Sequence, residues 1–301
     1  MQSPHHILVA SYDLKLHIYD MRRYGYVDEF DLCSQANCIV SASPTSFYLS
    51  GYSYVFQYDI NSKNKRPLQT IVAHDSNVNS ISLTEESLIS CGDDKYLKVW
   101  DRRSSQLSFV LLMNDPINVA LPISGTSSVL ICNETGTIAG YDLRNSQCVQ
   151  RVTIGDTPIR DLAVTPDYKQ FFAAAMDGTA VCYNLLNEGP SISFNENYRI
   201  RAHNEYLLRI AISPNTKYFA TAAADNTAKL WSVDKGDLIQ TFQPSDAREW
   251  TWDIKFFPDS TKIAVASSDG ACRIWDMGSG HIFHSLPQID KCISRIALMN
   301  M

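Results

Sequence analysis

The chain has 301 residues, of which 45% are hydrophobic and 19% charged, which is the composition of an ordinary globular protein and excludes a disordered, collagen-like or coiled-coil chain. Its formal net charge of −6 has the wrong sign for a protein whose main partner is a nucleic-acid backbone. No apolar run reaches the roughly 18 residues that suggest a membrane span, and we expect no secretory signal at the start. The eight cysteines occur singly, so we expect reduced thiols in a cytosolic or nuclear protein.

A short motif recurs along the chain. An aromatic residue followed by Asp, Asn or Ser ends a short apolar-alternating run at Tyr19, Tyr58, Trp100, Tyr141, Tyr183, Trp231 and Trp275. The successive spacings between these positions are 39, 42, 41, 42, 48 and 44 residues, which match the forty-odd-residue period of WD40 repeats. Within each period, short runs with period-two alternation are separated by turn residues, which predicts a meander of antiparallel strands.

These repeats predict the fold. A four-stranded sheet cannot bury both of its faces alone, so the repeats must stack around a common axis. We therefore predict an all-β protein, a seven-bladed WD40 β-propeller that occupies residues 1–301 as a single domain. The 48-residue spacing after Tyr183 reflects a polar insertion at 187–200, which we expect to form a surface loop between two blades.

The two ends of the chain predict how the ring closes. The first motif, at Tyr19, comes too early for a complete four-stranded blade to precede it, whereas an apolar run at 292–298 follows the last motif. We predict that this C-terminal strand pairs into the N-terminal blade, because such pairing removes two free sheet edges.

Two repeats contain a complete set of polar residues. An Asp stands six residues before the aromatic residue in five repeats, whereas Tyr52 and Thr135 occupy that place in the other two. Two of the five repeats also supply a His, a hydroxyl and a Trp; the sets are His74, Ser90, Asp94 and Trp100, and His203, Thr221, Asp225 and Trp231. Because the sets recur with the blade, we interpret them as buried structural networks and not as hydrolase triads.

The sequence gives little support for a metal site, a phosphate-binding loop or an enzyme active site. His5 and His6 lack a third metal ligand at a characteristic spacing, and Cys33 and Cys38 lack a matching pair. The glycines at 278–280 lack the strand-to-helix context of a phosphate-binding loop. We therefore expect no metal, no cofactor, no small-molecule substrate and no enzymatic activity.

The remaining candidate is a protein-binding surface. The loops that enter the innermost strands, and the residue before each turn Asp, ring one end of the central channel. By register this ring includes Tyr12, Gln35, Asn37, Asn77, Asn79, Asp93, Arg160, Tyr206, Leu208, Trp250 and Trp252. The two tryptophans stand two residues apart, so on a strand both point to one side. Aromatic residues dominate interface hot spots, which makes this pair the first candidate for partner binding. The alternative, that one or both tryptophans pack between blades, stays open.

The chain resembles one WD40 family in particular, the G-beta-like (GβL/Lst) subunits of TOR kinase complexes. The resemblance runs over the full length and is carried by segments 7–13, 58–64, 202–203, 213–231, 248–253, 266–269 and 297–300. It implies a non-catalytic, cytoplasmic scaffold that reaches endomembranes only through its complex. It further implies that the propeller binds an insertion in the C-terminal lobe of the TOR kinase domain, stabilises the active kinase and supports growth signalling.

The same resemblance implies roles for individual residues. Trp250 and Trp252 would contact the kinase insertion, with Tyr12, Gln35 and Asn37 as neighbours across the closing seam. The chain departs from the family at 286–290, where a Gly-His pair is usual, and in the two blades without the turn Asp.

A second interpretation is a substrate receptor of a cullin-type ubiquitin ligase. It depends on two segments, 100–103 and 141–144, that fit or approach a Trp-Asp-x-Arg pattern. Because Arg after this dipeptide is common in propellers, the pattern is weak. Proteins that co-purify with the chain would distinguish a large kinase from a cullin adaptor.

Overall fold

The structure is a computed structural model that describes residues 6–188, 191–244 and 249–299. The described residues form 27 β-strands and no helix. Accordingly, no described segment is a helix with the length and hydropathy needed to cross a bilayer. The predicted single domain 1–301 includes residues outside these ranges and stays a prediction.

The strands form six antiparallel sheets. The first sheet contains, in spatial order, β27 (Ile293–Met299), β1 (His6–Ser11), β2 (Lys15–Asp20) and β3 (Gly25–Asp31). The second contains β10 (Leu107–Leu112), β9 (Tyr96–Asp101), β8 (Ser87–Gly92), β7 (Gln69–Leu83), β6 (Tyr52–Asp59), β5 (Ser46–Ser50) and β4 (Cys38–Ser41).

The other four sheets each contain four consecutive strands. The third and fourth contain β11 (Ile117–Pro122), β12 (Ser128–Asn133), β13 (Thr137–Asp142) and β14 (Gln147–Thr153), then β15 (Ile159–Val164), β16 (Gln170–Ala175), β17 (Thr179–Glu188) and β18 (Ser191–Arg201). The last two contain β19 (Leu207–Ile212), β20 (Tyr218–Ala223), β21 (Ala228–Ser232) and β22 (Leu238–Phe242), then β23 (Thr251–Phe256), β24 (Lys262–Ser267), β25 (Cys272–Asp276) and β26 (Ile282–Ser285).

The seven-stranded sheet combines two blades through its long strand β7. The first part of β7 pairs with β6, where Val72 faces Tyr54. The second part pairs with β8, from Val78 opposite Gly92 to Leu83 opposite Leu88. Divided at β7, the described chain contains seven four-stranded units, in agreement with the seven repeats in the sequence.

The innermost strands of these units contact one another in a closed cycle. The order is β27, β4, β7, β11, β15, β19, β23 and back to β27. Apolar clusters fill the spaces between successive sheets, for example Phe172 against Phe219 with ring centroids 4.5 Å apart. Each sheet therefore covers its neighbour's apolar face, and the predicted all-β propeller is confirmed.

The C-terminal strand closes this ring. Strand β27 pairs with β1 from His6 opposite Met299 to Ser11 opposite Ile293, and it thereby becomes the innermost strand of the first blade. Ile293, Ile296 and Met299 are fully or almost fully buried, which places this strand in the core. The prediction that the C-terminal strand pairs into the N-terminal blade is confirmed.

Polar side chains also join neighbouring innermost strands. Three asparagine amides donate to a carbonyl oxygen of the next innermost strand: Asn37 to Val78 at 3.2 Å, Asn79 to Ile117 at 3.0 Å and Asn118 to Ile159 at 2.9 Å. Two buried carboxylates accept a backbone N–H in the same way, Asp161 from Ile210 at 3.0 Å and Asp253 from Ile296 at 2.9 Å. At the seam, the Ser294 hydroxyl donates to Ala36 at 3.3 Å. These bonds satisfy buried polar groups and connect the blades around the channel.

The prediction for the insertion at 187–200 is wrong. Strands β17 and β18 pair continuously to Glu188 opposite Ser191, so the insertion lengthens the outer hairpin of one blade and is not a loop between blades. Ile192 and Phe194 are buried and pack against the preceding blade. A side chain at Gly140 would meet Ile192 at 2.9 Å, which explains the small residue there. Gly189 and Pro190 lie outside the described residues.

Candidate functional site: an aromatic cluster at the channel mouth

Three aromatic side chains contact one another at one end of the central channel. The Trp250 and Trp252 rings lie 5.4 Å apart between centroids, and Tyr206 meets Trp250 edge-on at 6.4 Å. Trp250 is 41% exposed and Tyr206 is 48% exposed, whereas Trp252 is half-buried. We call these three residues the aromatic cluster.

The hydroxyl of Ser268 positions both tryptophans. The Trp252 indole N–H donates to Ser268 Oγ at 2.7 Å, and the same hydroxyl donates to the Trp250 carbonyl at 3.3 Å. The Ser268 backbone N–H donates to that carbonyl as well, at 2.9 Å. Hydrogen bonds therefore fix the backbone at Trp250, whose ring is exposed. A fixed backbone lowers the entropy cost of binding a partner protein.

The side chain of Trp252 is directed by a β-bulge. The pairing of β23 with β24 shifts between Thr251 and Asp253, which leaves Trp252 unpaired. The same shift occurs in five other innermost strands, at Asn79, Asn118, Arg160, Leu208 and Ser294. Bulges re-aim a side chain, and five of these six side chains, all except Ser294, line one cavity at the channel mouth.

A small cavity opens beside the cluster. Its volume is about 100 Å³, and its lining residues are Asn37, Asn79, Asn118, Arg160, Leu208, Arg209, Trp252 and Arg295. The Arg209 guanidinium lies 3.3 Å from the Asp161 carboxylate. Burial and the neighbouring charge of Arg209 lower the pKa of Arg295 to about 10. Asp253 and Asp161 act in the opposite direction on the pKa of Arg295, so carboxylates compensate part of the positive charge at the mouth.

Other predicted surface residues lie close to the seam. Asn37 lines the same cavity as Trp252, and its carbonyl accepts from Arg295 Nε at 2.5 Å. Tyr12 is 43% exposed, and its backbone N–H donates to the Cys292 carbonyl. Gln35 is exposed in the segment before β4. The structure brings Tyr206, Trp250 and Trp252 into direct contact and adds Asn37 through the cavity.

The polar set of the third blade forms one buried chain of hydrogen bonds. Trp100 Nε1 donates to Ser90 Oγ at 3.0 Å, Ser90 lies 2.8 Å from His74 Nε2, and His74 Nδ1 lies 2.8 Å from Asp94. All donors are used if the His74 ring carries its proton on Nδ1. Burial lowers the pKa of His74 and outweighs the opposite effect of Asp94, so the ring is neutral near pH 7.

The sixth blade repeats this arrangement. Trp231 Nε1 donates to Thr221 Oγ1 at 2.9 Å, Thr221 lies 2.7 Å from His203 Nε2, and His203 Nδ1 lies 2.8 Å from Asp225. Thr221 is 0% exposed, as is Ser90 in the third blade. The geometry resembles a hydrolase triad, yet a fully buried hydroxyl that already accepts from an indole cannot reach a substrate.

The turn aspartates have a local role. Each of the five accepts a hydrogen bond from the backbone N–H two residues later, as Asp94 does from Tyr96 at 3.2 Å. In the fourth blade, where Thr135 replaces Asp, Asn133 Oδ1 accepts from the N–H groups of Thr135 and Thr137. A different residue therefore performs the same task two positions earlier.

The two arginines of the Trp-Asp-x-Arg pattern differ in their contacts. Arg144 forms a bidentate pair with Asp142 at 3.0 and 2.6 Å, which explains it by local structure. Arg103 is exposed, and its backbone N–H donates to the Asp101 carboxylate at 2.9 Å. The neighbouring Arg102 donates to the Thr84 and Glu85 carbonyls at 2.8 and 3.1 Å.

The part of the chain that the structure describes contains no candidate metal-binding cluster. No three His, Cys, Asp or Glu side chains there are placed to hold a metal ion, and His5 lies outside the described residues. All eight cysteines are free thiols. Burial raises the pKa of Cys182 to about 11 and of Cys272 to about 12, which makes these thiols poor nucleophiles.

Sequence reasoning missed Ser268, Arg209, Arg295 and the carboxylates Asp161 and Asp253. Asp161 and Asp253 occupy equivalent places, one residue after a bulge. The other blades carry different residue types there, so the repeat alone gave no signal. An Asp directly after an arginine or tryptophan in an apolar run was the available clue.

Known proteins resemble this chain in sequence. The WD domain, G-beta repeat model matches residues 65–101, 194–232 and 236–276. The chain is 28% identical over 208 residues to Target of rapamycin complex subunit wat1 of Schizosaccharomyces pombe, covering 67% of this chain and 65% of that protein. It is 30% identical over 195 residues to Target of rapamycin complex subunit LST8 of Saccharomyces cerevisiae, covering 64% of each.

A third relative has the broader match. The chain is 28% identical over 273 residues to a protein of Arabidopsis thaliana named Non-functional target of rapamycin complex subunit LST8-2, covering 85% of this chain and 84% of that protein. The alignments to the two yeast proteins span slightly less than two thirds of those relatives' own lengths. The chain contains WD40 repeats in these three segments and is similar to proteins named LST8 or wat1, which their names describe as subunits of target of rapamycin complexes.

Proposed function

We propose that this protein is a non-catalytic scaffold subunit of a TOR kinase complex that binds and stabilises the kinase domain. The aromatic cluster is the docking surface in this proposal, and the occupant is the insertion in the C-terminal lobe of the kinase. Through that contact the subunit supports TOR signalling in growth control, in the cytoplasm and, through the kinase complex, at endomembranes.

The single observation that carries the proposal is the exposure of the aromatic cluster. Trp250 and Tyr206 expose 41% and 48% of their surfaces although they contact each other, and Ser268 holds the tryptophan backbone in place. Preorganised aromatic side chains of this kind supply a large part of the binding energy at protein interfaces. The names of the relatives favour a TOR complex as the assembly that uses this surface.

The rest of the ring suits a scaffold. The histidine and the hydroxyl of each His-containing network are buried, so the chemistry they resemble is inaccessible. Bonds between innermost strands and the closing strand β27 tie the blades together. A rigid ring of this kind presents one surface without reorganising, which suits stabilisation of a mobile kinase segment.

The experiment is affinity purification of the tagged protein from its own cells, followed by mass spectrometry. The wild type is compared with the double variant Trp250→Ala, Trp252→Ala, and a melting curve is recorded for each. The matched control is Tyr26→Ala, Phe283→Ala, which removes two side chains of 50% exposure each from outermost strands. We expect a TOR-type kinase with the wild type and the control, and its loss from the double variant.

Each other outcome has a definite meaning. A kinase that stays with a folded double variant would refute the docking surface but keep complex membership. A cullin adaptor in place of a kinase would support the ubiquitin-ligase interpretation. The single variants Trp250→Ala and Tyr206→Ala, at exposed positions, decide the question if Trp252→Ala impairs folding through loss of its bond to Ser268.

A further inference from the structure

The cavity beside the aromatic cluster presents guanidinium groups at its surface. Its lining includes three arginines, Arg160, Arg209 and Arg295, and no acidic side chain. Arg209 is paired with Asp161, and Arg160 lies 3.6 Å from Glu134. Arg295 donates to two backbone carbonyls, those of Asn37 and Ser294.

The guanidinium of Arg295 has donors to spare. An arginine offers five N–H donors, and within the described part of the chain two of them are bonded, at 2.5 and 2.6 Å. The group is buried beside Arg209, and both effects lower its pKa, although Asp253 and Asp161 act in the opposite direction. An anion in the cavity would bond to the remaining donors and add to this compensation.

We propose that this cavity binds an acidic side chain, Asp or Glu, of the partner segment that packs on the aromatic cluster. The proposal rests on the docking surface put forward above. Arg160, Arg209 and Arg295 would bind the carboxylate, with Arg160 as the entry because its side chain is 39% exposed.

Size and continuity favour this occupant. The volume of about 100 Å³ admits a carboxylate or a phosphate group, whereas sites for nucleotides and other small molecules occupy about 300–1,000 Å³. Trp252 both lines the cavity and contacts Trp250, so one peptide segment can cover the cluster and place a neighbouring side chain in the cavity. The partner would then combine an apolar residue with a nearby acidic one.

The first test needs no kinase. The purified protein is titrated with sodium acetate at constant ionic strength while NMR follows the indole N–H of Trp252, assigned by its absence in Trp252→Phe. We expect a saturable shift, about tenfold weaker acetate binding in Arg160→Gln, and recovery of most of the affinity in Arg160→Lys. The control Arg66→Gln removes an exposed arginine outside the cavity and the aromatic cluster and should change nothing.

Acetate that produces no saturable shift would overturn the carboxylate site, whatever the kinase does. Inorganic phosphate is titrated in the same way. If phosphate binds far more tightly than acetate and the binding is lost in Arg160→Gln, the cavity belongs to a free anion and the proposed partner carboxylate is refuted.

The second test uses the kinase complex. We expect Arg160→Gln to weaken kinase binding about tenfold and Arg66→Gln to leave it unchanged. Equal binding by wild type and Arg160→Gln would refute the acidic contact while the aromatic docking surface stands. A wild type that binds no kinase refutes the proposed function, and the acetate titration still decides the cavity.

Discussion

Thr221 in the sixth blade offers a sharp test of the buried networks. Its hydroxyl accepts from Trp231 at 2.9 Å and lies 2.7 Å from His203 Nε2. Thr221→Val preserves the shape of the side chain but removes the hydroxyl, so a buried donor and a buried acceptor both lose their partner. Thr221→Ser keeps the hydroxyl and removes only a methyl group.

The expected magnitudes separate the two variants. A buried polar group without a partner costs about 1–3 kcal/mol, so the two groups orphaned by Thr221→Val cost about 2–6 kcal/mol. Loss of a buried methyl group in Thr221→Ser costs about 1 kcal/mol. Valine is usually the better residue for a buried strand position, so a ranking based on hydrophobicity and strand propensity predicts the opposite order.

The assay is urea unfolding of both variants and the wild type, followed by tryptophan fluorescence and circular dichroism. We expect Thr221→Val to be the less stable variant by at least about 1 kcal/mol. Thr221→Val as stable as Thr221→Ser would refute the view that these hydrogen bonds hold the blade.

Two further predictions concern the closing strand and pH. Deletion of residues 292–301 removes β27, whose buried Ile293, Ile296 and Met299 contribute about 1.5–3 kcal/mol each to the free energy of unfolding. We therefore expect loss of the cooperative melting transition. An unchanged melting temperature would contradict closure of the ring by β27. Burial lowers the pKa of His74 and His203 in the folded state. The free energy of unfolding that each neutral ring supports is therefore complete above the unfolded pKa of ~6.5. It declines as the pH falls toward the folded pKa, by at most about 1.4 kcal/mol per pH unit for each histidine. NMR should find both rings still neutral below pH ~6.5, and a ring that titrates at that value would refute the buried neutral state.

The repeat made the architecture predictable. Seven aromatic-ended runs at near-constant spacing indicated seven blades, and the apolar run after Trp275 indicated the closing strand. Both signals come from the local pattern of apolar and aromatic residues, with which the tertiary structure agrees. The two His-containing sets were visible for the same reason, because their members recur at fixed positions of the repeat.

The insertion and the channel mouth were harder to predict. The polar residues at 195–197 suggested a loop, yet Ile192 and Phe194 alternate with them and are buried against the neighbouring blade. The register of the repeat placed Arg160 and Trp252 on one ring, but it gave no sign that Arg209 and Arg295 line a cavity with them. Contacts between blades depend on the assembled ring and are absent from the period of a single repeat.

The proposed binding of the aromatic cluster to a TOR kinase is measured by the dissociation constant of the purified protein for the purified TOR kinase of the same organism. Truncation of two hot-spot residues costs about 2 kcal/mol or more each, so Trp250→Ala, Trp252→Ala should weaken binding at least about a hundredfold. Tyr26→Ala, Phe283→Ala should bind as the wild type does. Equal dissociation constants for the wild type and a folded tryptophan variant would refute the aromatic cluster as the kinase-binding surface.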